Sequence, residues 1–358
     1  MDKEKQYLID ILKAFINQEP VERQEDIDWM KIKYLADIHS VTGIVGYVAK
    51  QSQLLSQEQG LPLFWNACMS SIYLFTQRAE RMRELSHKMQ EAQIDHILFK
   101  GYVVKDYYPV PELRSYGDID LVIHLEDRPR SHELMLQNGY QVKSDWEAVF
   151  SYYKDIEYYE IHSDIMEIDV TDKADYRGFF QRMWEHTVRV DDYVWEFTPE
   201  FHFIYLLTHI AKHIYSSGAG VRMYLDLAAF ILHFGDQIDW SLVRTELETI
   251  QLYDFCCVAL TAVKNWFGVE SPMELHPVPD DVMETFLDFT LVRPCEPGEW
   301  RQCAQARRKR RKIGFTDESP AETAVPACSG NRVPLHLFAE QTLAAPGGVG
   351  SPGRENQR

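Results

Sequence analysis

The chain has 358 residues, 45% of them hydrophobic and 13% aromatic, with a formal charge of −18. That length suits two or three packed units or one large domain, and the apolar content is enough for a sizeable core. The negative balance argues against an extended nucleic acid or an anionic membrane surface as partner, while leaving room for a local basic pocket.

Residues 1–92 are expected to be a helical region. "QYLIDILKAFI" sets Leu8, Leu12 and Phe15 on one face, and "IKYLADIHSVTGIVGYVAK" continues in the same style. The proline-free run from Phe64 to Ile94 predicts one helix near thirty residues long. The charged, amphipathic start and the lack of any 18-residue apolar run give no leader or membrane span to expect. Six cysteines without a C-x-x-C pair or nearby zinc-finger histidines fit a reduced, cytoplasmic protein.

Between 93 and 197 the period shortens and a sheet domain is expected. "HILF" (96–99) and "GDIDLVIHL" (117–125) read as strands, and "RPRSHELMLQNGY" (128–140) as a helix ended by Gly139. "YQVKS" starts a further strand. "IEYYEIHS" and "IMEIDVT" read as an antiparallel pair turning at Ser163 and Asp164, and "YVWEFTP" closes the region. The aromatics of "YYKDIEYYEIH" are expected to be strand packing rather than base-stacking platforms.

Helices return over 198–292, the first opening at Pro199 and ending at Gly218. Residues 293–358 then carry 11 Lys/Arg against 7 Asp/Glu and are rich in Ala, Pro and Gly. This tail is expected to be disordered, since it offers too little apolar surface to order itself. A basic arm and a shifted reading frame are the alternatives.

The chemistry centres on Asp118 and Asp120. Residues two apart on a strand share a face roughly 6.5–7 Å apart, and two-metal phosphoryl sites hold their ions about 3.5–4 Å apart. Two carboxylates so placed suit Mg²⁺ or Mn²⁺; the plainer reading is a solvated strand edge. Gly101, directly after a strand, would let backbone N–H groups approach a phosphate. On the helix after Pro199, His202, His209 and His213 share a face. Ile210 stands where a zinc protease needs glutamate, which removes that reaction. Ordinary partly buried histidines and a polar cleft lining are the readings that remain. Lys212 lies near that face, as a surface lysine or a phosphate contact. Arg222 and Asp226 stand four apart, where an intrahelical ion pair worth about 0.2–0.5 kcal/mol is the plain expectation. Cys256 and Cys257 read as core. No serine-hydrolase elbow, P-loop or dinucleotide glycine fingerprint is present.

The stretch "FKGYVVKDYYPVPELRSYGDIDLVI" resembles the bacterial uncharacterised nucleotidyltransferases of the DNA polymerase beta-like superfamily, through its Lys-Gly turn, its "YP" and the arginine before "DIDL". "FHFIYLLTHIAKHIYSSGAGVRMYLDLAAFI" is similar to that family's C-terminal half, so the likeness spans roughly residues 25–290. The resemblance implies an α/β fold: a five-stranded type of mixed sheet with helical flanks. It also implies metal-dependent transfer of a nucleoside monophosphate from an NTP, such as ATP, to an acceptor, releasing pyrophosphate. Asp118 and Asp120 would hold Mg²⁺ or Mn²⁺, with a third carboxylate from Glu167, ranked slightly above Asp169. Where the superfamily uses Gly-Ser or Gly-Gly, this chain has Lys100 and Gly101, so Lys100 or Arg114 would supply the phosphate contact with Ser115 nearby. Lys212, Arg222 and Asp226 would face the nucleotide. The acceptor, nucleobase and oligomeric state are left open. The competing readings are a non-catalytic nucleotide- or partner-binding protein on the same fold, and the toxin of a toxin–antitoxin pair.

Overall fold

The computed structural model describes residues 2–292 except 59, 147, 167–169, 171–173 and 217; the tail and its alternative readings lie outside the described residues. Four helices come first: α1 (Lys3–Asn17), α2 (Trp29–Ile38), α3 (Thr42–Gln51) and α4 (Leu61–Glu91). Aspartates start two of them. The Asp2 side chain accepts from the Lys5 N–H, and that of Asp28 from the N–H groups of Met30 and Lys31. Each thereby satisfies helix-end donors that would otherwise have no partner. The stretch expected to continue as helix through Ser40 breaks there, with Ser40 at φ 57°. α3 then packs on α4 so closely that a Cβ on Gly46 would lie 2.3 Å from the Phe64 carbonyl oxygen.

α4 is 31 residues long and delivers the chain to β1 (His96–Phe99). A single helical turn, α5 (Gly101–Val104), and two short 3₁₀ turns lead to β2 (Ile119–Ile123). Then come α6 (Arg128–Gln137), β3 (Gln141–Trp146), β4 (Val149–Lys154), β5 (Glu157–His162), α7 (Tyr176–Gln181), β6 (Thr187–Asp191) and β7 (Val194–Phe197). The sheet is mixed and has seven strands in the order β3-β4-β5-β2-β1-β7-β6, two more than the resemblance implied. The antiparallel partner of β5 is β4, turning at Asp155 (φ 52°). The strand expected over "IMEIDVT" falls mostly on residues outside those described.

Five helices follow: α8 (Pro199–Ser216), α9 (Val221–Phe234), α10 (Trp240–Thr249), α11 (Tyr253–Phe267) and α12 (Asp280–Val292). Period-2 alternation decides what each sheet face meets. Ile119, Leu121 and Ile123 of β2 pack with Met82, Leu85 and Met89 of α4 and Met135 of α6. Val122, with Ile97 and Phe99 of β1, instead joins the larger core built from α1–α3 and α8–α12. Asp120 has the parity of Val122, so it points at the helical side. Cys68, Cys256 and Cys257 are buried free thiols. Among the described residues no helix is long and apolar enough to cross a membrane.

Candidate active site

Strand register assembles the site. β1 runs antiparallel to β2 and sets Phe99 beside Asp120; β5 runs parallel to β2 and sets Glu160 beside Asp120 and His162 beside Val122. Paired residues on neighbouring strands share a face, and so do residues two apart on one strand. Asp120, Glu160 and His162 therefore converge, and one donor atom of each lies within 4.8 Å of the others. His162 Nε2 is 2.9 Å from Asp120 Oδ1; against an ionised carboxylate that nitrogen carries the proton and donates. The ring packs edge-on to Phe99, with centroids 5.4 Å apart.

Lys100 closes the site from the end of β1. Its Nζ donates to the same Asp120 Oδ1 at 2.6 Å. Burial by itself would raise the Asp120 carboxyl, but the Lys100 ammonium and the His162 hydrogen bond outweigh it and hold the group at about 2. Burial would likewise lower Lys100, and Asp120 reverses this, leaving its ammonium above the ordinary lysine range. Asp118 precedes the first paired residue of β2 and is not part of the three-residue donor cluster. Burial, and then the Asp120 charge, push its carboxyl up, as they do for Glu160.

The Lys-Gly turn divides its two demands unexpectedly. Lys100 has the left-handed backbone, with φ 53° and ψ −137°. That conformation is ordinarily a glycine's, and costs any other residue about 1–3 kcal/mol. Gly101 is needed for space: a Cβ there would stand 2.0 Å from Arg114 NH1. Arg114 is 7% exposed and forks onto the buried Asp226, with Nε–Oδ1 at 3.1 Å and NH2–Oδ2 at 2.6 Å. Tyr108 donates its hydroxyl to the same Oδ1 at 2.6 Å. Arg222 donates to the Ser115 carbonyl, and the Ser115 hydroxyl donates to the Ser40 carbonyl at 3.0 Å. Asp226 is thus ion-paired across the fold to Arg114, where an intrahelical pair with Arg222 had been expected. These contacts tie the loop before β2 to α9 and to the end of α2.

α8 forms the opposite wall. Tyr205 packs on Phe99 at 5.3 Å and on His209 at 5.8 Å, and His209 Nε2 lies 3.1 Å from His213 Nε2. Burial lowers both histidines, His209 well below the ordinary value and His213 to about 4. The charges of Lys100 and Lys212 add to the effect at each. His202 is elsewhere on the helix, against Phe230 at 5.4 Å.

Of the residues expected from sequence, Lys100, Gly101, Arg114, Ser115, Asp118, Asp120, Arg222 and Asp226 come together, with the charge of Lys212 felt nearby. Glu167 and Asp169 lie outside the described residues. Glu160 and His162 were missed. Their E-x-H repeats the two-residue spacing of the D-x-D and was the available signal, but it stood inside an aromatic stretch read as packing.

The mixed sheet thus gathers acidic side chains on adjacent central strands beside a Lys-Gly turn. The chain belongs to the uncharacterised nucleotidyltransferase family, whose model matches residues 25–268, and is an enzyme of that class. Among solved structures it is similar to the antibiotic-resistance factor ANT(2'')-Ia, at 12% identity and a TM-score of 0.32, over 51% of this chain and 92% of that one. No curated protein matches the sequence.

Proposed function

We propose that the protein transfers a nucleoside monophosphate from an NTP to an acceptor hydroxyl or phosphate, with release of pyrophosphate, at the cleft between β1, β2, β5 and α8. The observation that carries this reading is the convergence of Asp120, Glu160 and His162 at the Lys100 turn in a chain of this family. The two carboxylates fit a hard divalent ion such as Mg²⁺ or Mn²⁺. Asp120 and Glu160 would hold it with Asp118 at the cleft mouth, and His162 aims Asp120 through its hydrogen bond. When bound, such an ion neutralises charge on the phosphates and orients them for in-line attack.

The chain's own groups supply the rest. Lys100, Lys212 and Arg222 set positive charge along the cleft where a triphosphate would lie. The Arg114–Asp226 fork holds the loop carrying Asp118 in register with the sheet. In this reading Glu160, whose carboxyl is raised by burial and by Asp120, would take the acceptor proton. The third carboxylate is then Glu160, with Glu167 and Asp169 as the rival positions.

The test is pyrophosphate release from each of the four NTPs with Mg²⁺ or Mn²⁺ and a cell extract as acceptor source. Release should vanish in Asp120→Asn and in Glu160→Gln. Loss in Glu167→Gln but not in Glu160→Gln would move the third carboxylate to the later segment. Nucleotide binding without release in the parent would reduce the protein to a binding module.

A further inference from the structure

We propose that the Lys100 ammonium is a built-in stand-in for the metal ion: bonded to Asp120 Oδ1, it competes with the ion for that carboxylate, and an arriving nucleotide draws it away, so that metal and nucleotide bind cooperatively. The inference rests on reading the cluster as a nucleotidyl-transfer site. Three observations support it.

The first is competition for one atom. Asp120 Oδ1 accepts from both Lys100 Nζ at 2.6 Å and His162 Nε2 at 2.9 Å. Asp120 is the member of the donor cluster that lies beside both Phe99 of β1 and Glu160 of β5. A cation approaching this oxygen competes with the ammonium already bonded to it.

The second is the backbone. Lys100 holds a left-handed conformation at φ 53°, one that glycine would adopt without strain. Glycine does stand in the turn, one residue later, where its role is to clear Arg114. Strain retained at a functional turn marks a side chain whose placement matters more than the backbone's comfort.

The third is freedom to leave. The Lys100 side chain is 18% exposed, whereas that of Asp120 is 4% exposed. An ammonium on a four-carbon stem can swing while still donating, and the guanidinium fork of Arg114, locked to Asp226, cannot. A triphosphate in the cleft offers new acceptors to Lys100 and leaves Asp120 for the ion. Linkage requires the coupling to be reciprocal: the metal tightens nucleotide binding by the factor by which nucleotide tightens the metal.

The experiment measures Mn²⁺ binding to the full chain by electron paramagnetic resonance, without nucleotide and with a non-hydrolysable ATP analogue, and analogue binding by calorimetry with and without Mn²⁺. The parent, Lys100→Met and Lys100→Gly are compared. Lys100→Gly relieves the backbone and keeps the comparison open if Lys100→Met fails to fold. The expected result is that the variants bind Mn²⁺ alone about ten-fold tighter than the parent, and that the cooperativity between ion and analogue collapses. Mn²⁺ affinity unchanged within two-fold in both variants overturns the proposal, even if analogue binding weakens, because Lys100 is then a phosphate contact only. Mn²⁺ binding by none of the three proteins, with or without analogue, overturns the site reading itself and the proposal with it.

Discussion

Replacing Gly101 with alanine isolates the contact on which the loop geometry depends. The added Cβ would stand 2.0 Å from Arg114 NH1, 2.8 Å from Cζ and 3.1 Å from NH2. The guanidinium has nowhere to retreat, because Nε and NH2 are committed to Asp226 and NH1 to the Ser115 carbonyl at 3.3 Å. Either the fork breaks, leaving Asp226 as a buried charge at a cost of about 3–5 kcal/mol, or α5 shifts and lifts Lys100 from Asp120. Alanine returns only about 0.5–1 kcal/mol as the better helix former, so a net loss of about 3 kcal/mol is expected. Urea unfolding of the parent, Gly101→Ala, Arg114→Ala and the double variant measures it as a cycle. With Arg114 truncated, the alanine should be neutral or slightly stabilising. A loss under about 1 kcal/mol in the parent background, or the same loss in both backgrounds, would refute the reasoning.

The buried histidines give a pH signature, His39 and His202 among them. Burial lowers His39 and His202 to about 4, from an unfolded value near 6.5. The unfolded chain therefore binds more protons between those limits, and stability falls as pH drops through the window, by about 2 kcal/mol per histidine from pH 7 to 5. His39→Asn, which keeps an acceptor for the Val221 N–H, should lessen the fall of urea midpoints across that range by one histidine's share while the other buried histidines keep theirs; an unchanged slope counts against the assignment. Asp226→Asn should destabilise by about 3 kcal/mol, because it leaves Arg114 buried without its counter-charge, and a calorimetric change under 1 kcal/mol would contradict that. Cys68, Cys256 and Cys257 are buried and their thiols are raised by that burial. They should resist alkylation in the native protein and react after denaturation, as peptide mass spectrometry would show.

How much of this could be read beforehand follows from the range of each signal. The 31-residue α4, the β1 and β2 strands and the end of α6 at Gly139 are local patterns, and the sequence shows them. So is the shared interest of Asp118 and Asp120, although only Asp120 enters the donor cluster. What brings Glu160 to Asp120 is the parallel pairing of β2 with β5, a contact between residues forty positions apart that no local period records. Arg114 is a similar case. The family resemblance suggested a phosphate contact, but its partner lies on α9, and the reason for Gly101 became visible only with both elements in place. The Ser40 break was hidden because apolar spacing runs on through it, with only a polar Ser between two helical stretches.

The helices at the two ends of the described chain share one core, and α1 docks directly on α11: Asn17 donates to the Phe267 carbonyl at 2.7 Å across 250 positions. On a ribosome adding about 5–20 residues per second, Asn17 would wait roughly 10–50 s for the Phe267 carbonyl to be made. α1 meets α2 and α3 early, through contacts such as Tyr7 with Trp29 and Phe15 with Tyr47, while its seam with α11 closes only after that far later helix has been made.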